Sequence, residues 1–383
     1  MTDMTTLEHL AHGLCEDARI RHSIRRHCSP LPPEAEAPDL DTRIPPGCQM
    51  LGHSLRHHQD PNAAVSQYFN VALQQYHAVR QILHHLHGPT PPMFLDFACG
   101  YGRLLRFLRH ALPASHLHAA EIQEAAVRYV TDHFGIPAMR STPDPKDFHP
   151  PRHFDVIWVA SLFSHLPEPL FLAWLERLYG LLTPDGILCF SVHDRSLLPP
   201  GLDMPDSGIL FGEGSEIPEL GPALYGTAYV SESFVARAIE RVAGSGHPWV
   251  RLPKSLAQEQ DIYVLSRNPE RALTALQGFR RGPWGWVDER RRDGAGLYLR
   301  GWAASLDDGP LDQVEIRIDG TLHACPVADM RQDVADHFQD PRLAGSGWSF
   351  HLSLAAETPP LHVEVSARDE RGERALLYTG IMA

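Results

Sequence analysis

The stretch Asp96-Phe97-Ala98-Cys99-Gly100-Tyr101-Gly102 carries the chemistry most readily read from this chain. The apolar run Met93–Leu95 precedes it, and Leu104-Leu105-Arg106-Phe107-Leu108 follows with the pattern of a helix start. A strand, a small-residue loop and a helix in that order build a cradle. Small side chains let backbone N–H groups approach a ligand closely, and a helix N-terminus adds partial positive charge. Asp96 closes the strand. A second acid, Glu121, follows the strand-like His116-Leu117-His118-Ala119-Ala120 and, with Ile122 beside it, leads into the helical stretch Glu124–His133. A carboxylate at that place can accept hydrogen bonds from both hydroxyls of a ribose.

Two departures narrow the ligand. A dinucleotide cradle wants a third glycine near position 105, where pyrophosphate forces helix and strand together. This chain has Leu105 there, and Ala98 at the first small position. A nucleoside without a diphosphate fits better, and S-adenosylmethionine is the leading candidate. Gly100, Gly102, Glu121 and Ile122 are then expected to bind it, with Asp96, Ala98 and Cys99 shaping the loop.

From Leu95-Asp96-Phe97-Ala98-Cys99-Gly100-Tyr101-Gly102-Arg103 onward, the chain resembles a class I methyltransferase. Phe154-Asp155-Val156-Ile157-Trp158, Ser161-Leu162-Phe163-Ser164-His165-Leu166 and Leu182-Thr183-Pro184-Asp185-Gly186-Ile187-Leu188 continue the resemblance. Gln260-Asp261-Ile262-Tyr263-Val264-Leu265 resembles the closing strand of one bacterial subgroup. The resemblance spans roughly 93–267 and implies a Rossmann-like α/β fold. Its mostly parallel sheet would be closed by one antiparallel strand, with ligands at the carboxyl ends of the strands. The subgroup has glycine where this chain has Ala98, which bears on local backbone conformation because alanine disfavours positive φ.

The coarse pattern agrees. Phe154–Ala160 and Ile187–Val192 read as buried strands, and Thr183-Pro184-Asp185-Gly186 as a turn. Phe171–Leu182 puts Phe171, Leu175, Leu178 and Leu182 on one helical stripe, and Ser231 caps a helix reaching Ala243.

Methyl transfer from a sulfonium is an in-line displacement, so alignment is the main task. A carboxylate acceptor is already nucleophilic, whereas a sugar hydroxyl needs a general base. Base candidates belong just past the carboxyl ends of the strands. His193 is the first choice, with Asp194 or His165 orienting it or substituting for it, and Tyr225 and Tyr229 lining an acceptor pocket. Ser161, where the fourth strand opens, can touch cofactor or cap a turn. The chain has 24 histidines, so any one of them is weak evidence alone. His57-His58 and His84-His85-His87 do not read as a metal site, because adjacent histidines on a helix point apart and no carboxylate recurs at ligand spacing.

The 383 residues suit two domains, and the net charge of −13 argues against a nucleic-acid binder. The six cysteines, at 15, 28, 48, 99, 189 and 325, form no Cys-x-x-Cys pair, which suits reduced thiols in a cytoplasmic protein without structural metal. No apolar run reaches membrane-spanning length and no signal peptide is visible. The expected organisation is an N-terminal helical region at 1–92, a methyltransferase domain at 93–267, a linker at 268–283 and an all-β domain at 284–383. Within the first region a helix is expected near Leu7–Ile24, a Pro-rich connector at 30–46 and an amphipathic helix at Val65–His87. Such helices could cap the substrate side of the sheet.

In the last region Val314, Ile316 and Ile318 alternate with polar residues before the hairpin dipeptide Asp319-Gly320. Similar alternation at Trp348–Leu354 and Leu361–Val365 points to a sandwich. Its Gly301-Trp302-Ala303, Ile318-Asp319-Gly320 and Arg331-Gln332-Asp333-Val334 resemble an accessory module of bacterial surface-polysaccharide enzymes. That resemblance implies O-methylation of a saccharide or related small hydroxyl compound, with glycan contact through the β-domain. The competing expectations are an N- or carboxyl-methyltransferase of a small metabolite, and a non-catalytic glycan-binding scaffold. Homo-oligomerisation is left open.

Overall fold

The computed structural model describes residues 3–28, 40–215, 220–293, 296–355 and 359–383, so residues 30–39 of the expected Pro-rich connector lie outside it. The chain opens with Met4–Glu16 (α1) and Ala18–Arg26 (α2) in place of one helix. Asp17 divides them: its backbone is extended, and its carboxylate accepts the Arg19 N–H at 2.8 Å, capping α2. Gln49–His58 (α3) and Pro61–His87 (α4) follow.

The next segment lays down the strands Phe94–Phe97 (β1), Leu117–Glu121 (β2), Ala138–Arg140 (β3), Phe154–Val159 (β4) and Leu182–Asp194 (β5). Ile209–Glu213 (β6), Gly226–Val230 (β7), Trp249–Leu256 (β8) and Gln260–Ser266 (β9) complete it. Between them stand Leu105–Leu108 (α5), Glu124–Phe134 (α6), Glu168–Gly180 (α7) and Glu232–Ala243 (α8). β3, β2, β1, β4 and β5 run parallel in that order, and β9 joins β5 antiparallel with β8 outside it. This is the expected Rossmann-like sheet. A short parallel pairing of β5 with β7, which carries β6, extends the carboxyl end of β5.

Among the parallel strands, β1, β2 and β4 are buried on both faces, as near-continuous apolar sequences require, whereas the edge strand β3 is half-exposed. Leu95, Phe97, Ile157, Val159, Leu188 and Phe190 share a core with Phe171, Trp174, Leu175 and Leu178 of α7. α8 begins as expected, with Ser231 Oγ accepting the Phe234 N–H at 3.2 Å. One expectation changes. Thr183–Gly186 is not a turn outside the strand but an excursion within β5, where the register against β4 jumps from Leu182 to Ile187.

The C-terminal strands are Pro283–Asp293 (β10), Gly296–Ser305 (β11), Gly309–Pro310 (β12), Gln313–Ile318 (β13), Thr321–Pro326 (β14), Gly347–Ser353 (β15), Leu361–Arg368 (β16) and Arg374–Met382 (β17). Gln332–Phe338 (α9) interrupts them. One sheet joins β10, β11, β12 and β15, and the other runs β14-β13-β16-β17. Val287, Leu297 and Leu299 of the first meet Val314, Ile316, Val363 and Val365 of the second in one core. The sandwich is present, with Asp319 and Gly320 both at positive φ in the hairpin turn.

The chain divides into two compact units, Ala78–Phe279 and Met1–His77 with Arg280–Ala383. The N-terminal helices therefore group with the β-domain rather than forming a region of their own. Ser23 of α2 donates to Glu364 Oε2 at 2.6 Å, and its Oγ lies 3.2 Å from His362 Nε2. α4 protects β17, which is an edge strand with unpaired backbone groups. The Asn62 amide accepts the Ile381 N–H at 2.8 Å and donates to its carbonyl at 3.2 Å, while Ser66 Oγ accepts the Thr379 N–H at 2.9 Å.

Ser66 and Thr379 are both fully buried. Ser66→Ala leaves the Thr379 N–H without its acceptor, so we expect a loss of about 1–3 kcal/mol. Chemical denaturation compared with wild type measures it; a change below about 0.5 kcal/mol, the range of ordinary surface substitutions, would refute the edge-protection role.

Candidate cofactor and acceptor site

The loop after β1 turns through three left-handed residues, Ala98 (φ 59), Gly100 (φ 55) and Gly102 (φ 72). Ala98 thus adopts the glycine-type conformation despite its Cβ, at a cost of roughly 1–2 kcal/mol. The two glycines differ in purpose. A Cβ built on Gly100 would meet nothing within 4 Å, whereas one on Gly102 would lie 2.6 Å from Cε2 of Phe134. Gly100 borders open space; Gly102 lets the loop pack on α6. The expected helix is also shorter than its pattern suggests, because α5 is a single turn. The turn N–H groups are themselves engaged: Cys99 donates to the Ala120 carbonyl at 3.2 Å and Gly102 to the Cys99 carbonyl at 3.1 Å.

Glu121 is 5% exposed, and its carboxylate is the fastening of this loop. Oε2 accepts the Gly100 N–H at 2.8 Å, and Oε1 accepts those of Ile122 at 2.8 Å and Gln123 at 3.1 Å. Asp96 is the opposite case. It is 2% exposed, and its Oδ2 has no hydrogen-bond partner among the described residues. Burial, and then the nearby Glu121 charge, push its carboxyl up to about 8, although Arg103 opposes them. Cys99 is buried, and burial holds its thiol well above the usual range. It shapes the loop and is no nucleophile.

The acceptor-side residues gather beyond β4 and β5. His165 ends the short helical turn Phe163–His165, and its Nδ1 lies 2.6 Å from the Gly226 carbonyl at the start of β7. The Tyr225 ring stacks on it at 4.8 Å, and His193 approaches its edge at 5.9 Å. Strand register brings His193 of β5 opposite Tyr229 of β7, with ring centroids 5.5 Å apart. Burial, then the charge of His165, pushes His193 down to about 4, while the Ala228 backbone pulls weakly the other way.

Asp194 is placed elsewhere. Adjacent strand residues face opposite sides of a sheet, and the Asp194 carboxylate caps Ser196 N–H at 2.9 Å and pairs with Arg251 at 3.0 Å. It does not orient His193. Arg251 also holds Glu232 at 2.5 Å and Asp261 at 2.6 Å, so one guanidinium gathers the ends of β5, α8 and β9. Ser161 is left-handed (φ 57) and belongs to a polar chain with Ser191 and Gln260. Ser191 and Gln260 escaped the sequence reading. A serine within the apolar Ile187–Val192 run was a usable signal for the first; nothing local marks the second.

Residues 95–188 match a protein family described as a methyltransferase domain. No curated protein matches the chain in sequence. Among solved structures, the plantazolicin methyltransferase BpumL with a monoazolic desmethylPZN analog and SAH is similar at 15% identity and TM-score 0.40, covering 69% of this chain and 99% of that one. The 1,6-didemethyltoxoflavin-N1-methyltransferase of Burkholderia thailandensis is similar at 16% identity and TM-score 0.34, covering 51% and 79%. CalS10, an amino pentose methyltransferase from Micromonospora echinaspora, is similar at 14% identity and TM-score 0.38, covering 51% and 90%.

The raised Asp96 value has a consequence for this domain's stability. A folded value near 8 against roughly 3.9 unfolded gives stability fully present below about pH 4 and lost as pH rises to about 8. Asp96→Asn keeps the shape without the charge. We expect it to lose less stability than wild type between pH 5 and 8.5 in denaturant titrations; parallel pH curves would contradict the buried, unpaired acid.

Proposed function

We propose that this chain is an S-adenosylmethionine-dependent methyltransferase acting on a hydroxyl of a saccharide or related small molecule. The observation that carries the cofactor reading is the unpartnered Asp96 Oδ2 beside the open face of Gly100. A buried acid held uncharged gains most from a cationic ligand, and S-adenosylmethionine brings an ammonium and a sulfonium. A nucleoside fits the open space beside Gly100, with Glu121 on the ribose side. When bound, the cofactor supplies a methyl carbon on positively charged sulfur.

The chain's own residues supply the rest. Asp96 offers a carboxylate to the cationic end. Glu121 fixes the Gly100 loop while accepting from the ribose, since a carboxylate has about four acceptor sites. His165, His193, Tyr225 and Tyr229 wall the acceptor side, and histidine at that place supports a hydroxyl acceptor over a carboxylate, because a hydroxyl has a proton to lose and a carboxylate is already nucleophilic. Glycan contact by the β-domain belongs to the same proposal. Tyr298 on the sheet of β10, β11 and β15 carries Arg291 over its ring at 5.5 Å, a platform on which a sugar ring could stack.

Calorimetry tests the cofactor reading. Glu121→Gln keeps the size but replaces one oxygen by an amide donor, and we expect S-adenosylmethionine affinity to fall about 10–100-fold, or 1.4–2.8 kcal/mol. Wild-type protein that gives no binding heat at millimolar cofactor would sink the proposal. Transfer of labelled methyl groups to a panel of methyl glycosides tests the acceptor class. Incorporation into amines or carboxylates alone would favour the N- or carboxyl-methyltransferase alternative.

A further inference from the structure

The β14-β13-β16-β17 sheet ends in two unlike edges. β17 is covered by α4 through Asn62 and Ser66. At β14, Leu322 is 49% exposed, and Thr321 and Ala324 are exposed beside it. Open edges are usually guarded by charged side chains. Thr321-Leu322-His323-Ala324-Cys325-Pro326 contains no Lys, Arg, Asp or Glu.

Backbone bonds on either side of β13 fix which groups of β14 look outward. Asp319 donates to the His362 carbonyl at 3.0 Å, so the odd-numbered residues of β13 bond to β16. Val327 donates to the Asp312 carbonyl at 3.0 Å, so the even-numbered residues of β13 bond to the odd-numbered residues of β14. Bonded and non-bonded pairs alternate along an antiparallel ladder. The N–H and C=O of Leu322 and Ala324 therefore point away from the sheet, and among the described residues they bond to nothing there. Pro326, next in the same row, has no N–H to give.

We propose that β14 is a self-pairing edge, on which a second copy of this chain docks its own β14 antiparallel about a twofold axis at His323. In that register the N–H and C=O of Leu322 meet the C=O and N–H of Ala324 in the other copy, and every outward group of both residues is matched. Sliding the pair toward Pro326 sets the Leu322 carbonyl against a nitrogen without hydrogen. Sliding it the other way runs the strand into the left-handed turn Asp319-Gly320.

The side chains fit the same axis. On the outer face Arg317 lies beside Leu322 and Glu315 beside Ala324. Within one chain Arg317 meets Glu315 only at 3.8 Å and Glu364 at 3.9 Å. Across the axis each row reads Arg317, Leu322, Ala324, Glu315, with opposite charges at its ends and a large apolar residue against a small one between them. Two copies make this row twice, which is the self-complementarity a twofold contact requires.

Sedimentation velocity of the full chain from about 1 to 100 μM should show a dimer that grows with concentration. Ala324→Pro removes an N–H that bonds nothing across the edge inside the chain, and Leu322→Lys sets like charges diagonally across the axis. Each should weaken the dimer at least about 10-fold with an unchanged circular dichroism spectrum; if Ala324→Pro fails to fold, Leu322→Lys decides. His323→Cys reports the register. The native cysteines are all buried, and opposed residues of a non-bonded pair stand about 4.5 Å apart at Cα. Mild oxidation should therefore link His323→Cys into a disulfide dimer and leave Gln313→Cys, exposed on β13, unlinked. A chain that stays monomeric throughout the range overturns the proposal and leaves the edge to a strand of another protein. A dimer indifferent to Leu322→Lys, or one that links equally through Gln313→Cys, overturns it as well. None of these readouts involves the cofactor, so they stand or fall apart from the methyltransferase reading.

Discussion

One carboxylate holds the cofactor side of this domain in shape. β1 and β2 are parallel neighbours paired Phe97 with Ala120, so the loop after β1 and Glu121 leave the sheet at the same edge, one step apart. The Gly100 N–H then has an acceptor 2.8 Å away that belongs to a residue 21 positions later. Together with the Cys99 N–H, which donates to the Ala120 carbonyl at 3.2 Å, this bond ties the left-handed turn through Ala98, Gly100 and Gly102 to β2. The two acids differ in their partners. Glu121 has three backbone donors, whereas Asp96 has an oxygen with none among the described residues, and burial, then the Glu121 charge, push the Asp96 carboxyl up.

The acceptor side is organised by the period of two in β5. His193 points to the site, and Asp194, its neighbour, points to the Arg251 cluster on the other side. Arg251 gathers three carboxylates from separate elements, so the end of β5 is tied to α8 and β9. Breaking such a cluster by removing one partner leaves charge unpaired. The rigid side of the strand thereby fixes the orientation of the reactive side.

Much of this was legible in the sequence, and the reason differs by residue. The cradle was readable because its glycines, its acids and the flanking apolar runs are local and each has a steric or electrostatic meaning. His165, His193, Tyr225 and Tyr229 could be named together because strand ends converge in a parallel sheet. The contact of Gln260 with His193 could not be read, because β9 delivers it from 67 positions away by pairing antiparallel with β5. Asp194 was assigned to His193 for its adjacency in sequence, and adjacency on a strand means separation in space. Gly102 was read as a ligand contact, yet its missing Cβ is filled by Phe134.

The β-domain shows the same limit of local pattern. In β16, Val363, Val365 and Ala367 alternate with His362, Glu364 and Ser366, which reads as one apolar and one solvated face. Both faces are buried. The polar row is covered by α2, where Ser23 and Arg26 meet Glu364, and the edge beyond it is closed by α4. Polar residues there satisfy one another instead of water, as burial demands. Nothing in the alternation could reveal a covering helix that lies more than 300 residues earlier. The outer face of the β14-β13-β16-β17 sheet is thus occupied along β16 by the chain's own helix α2.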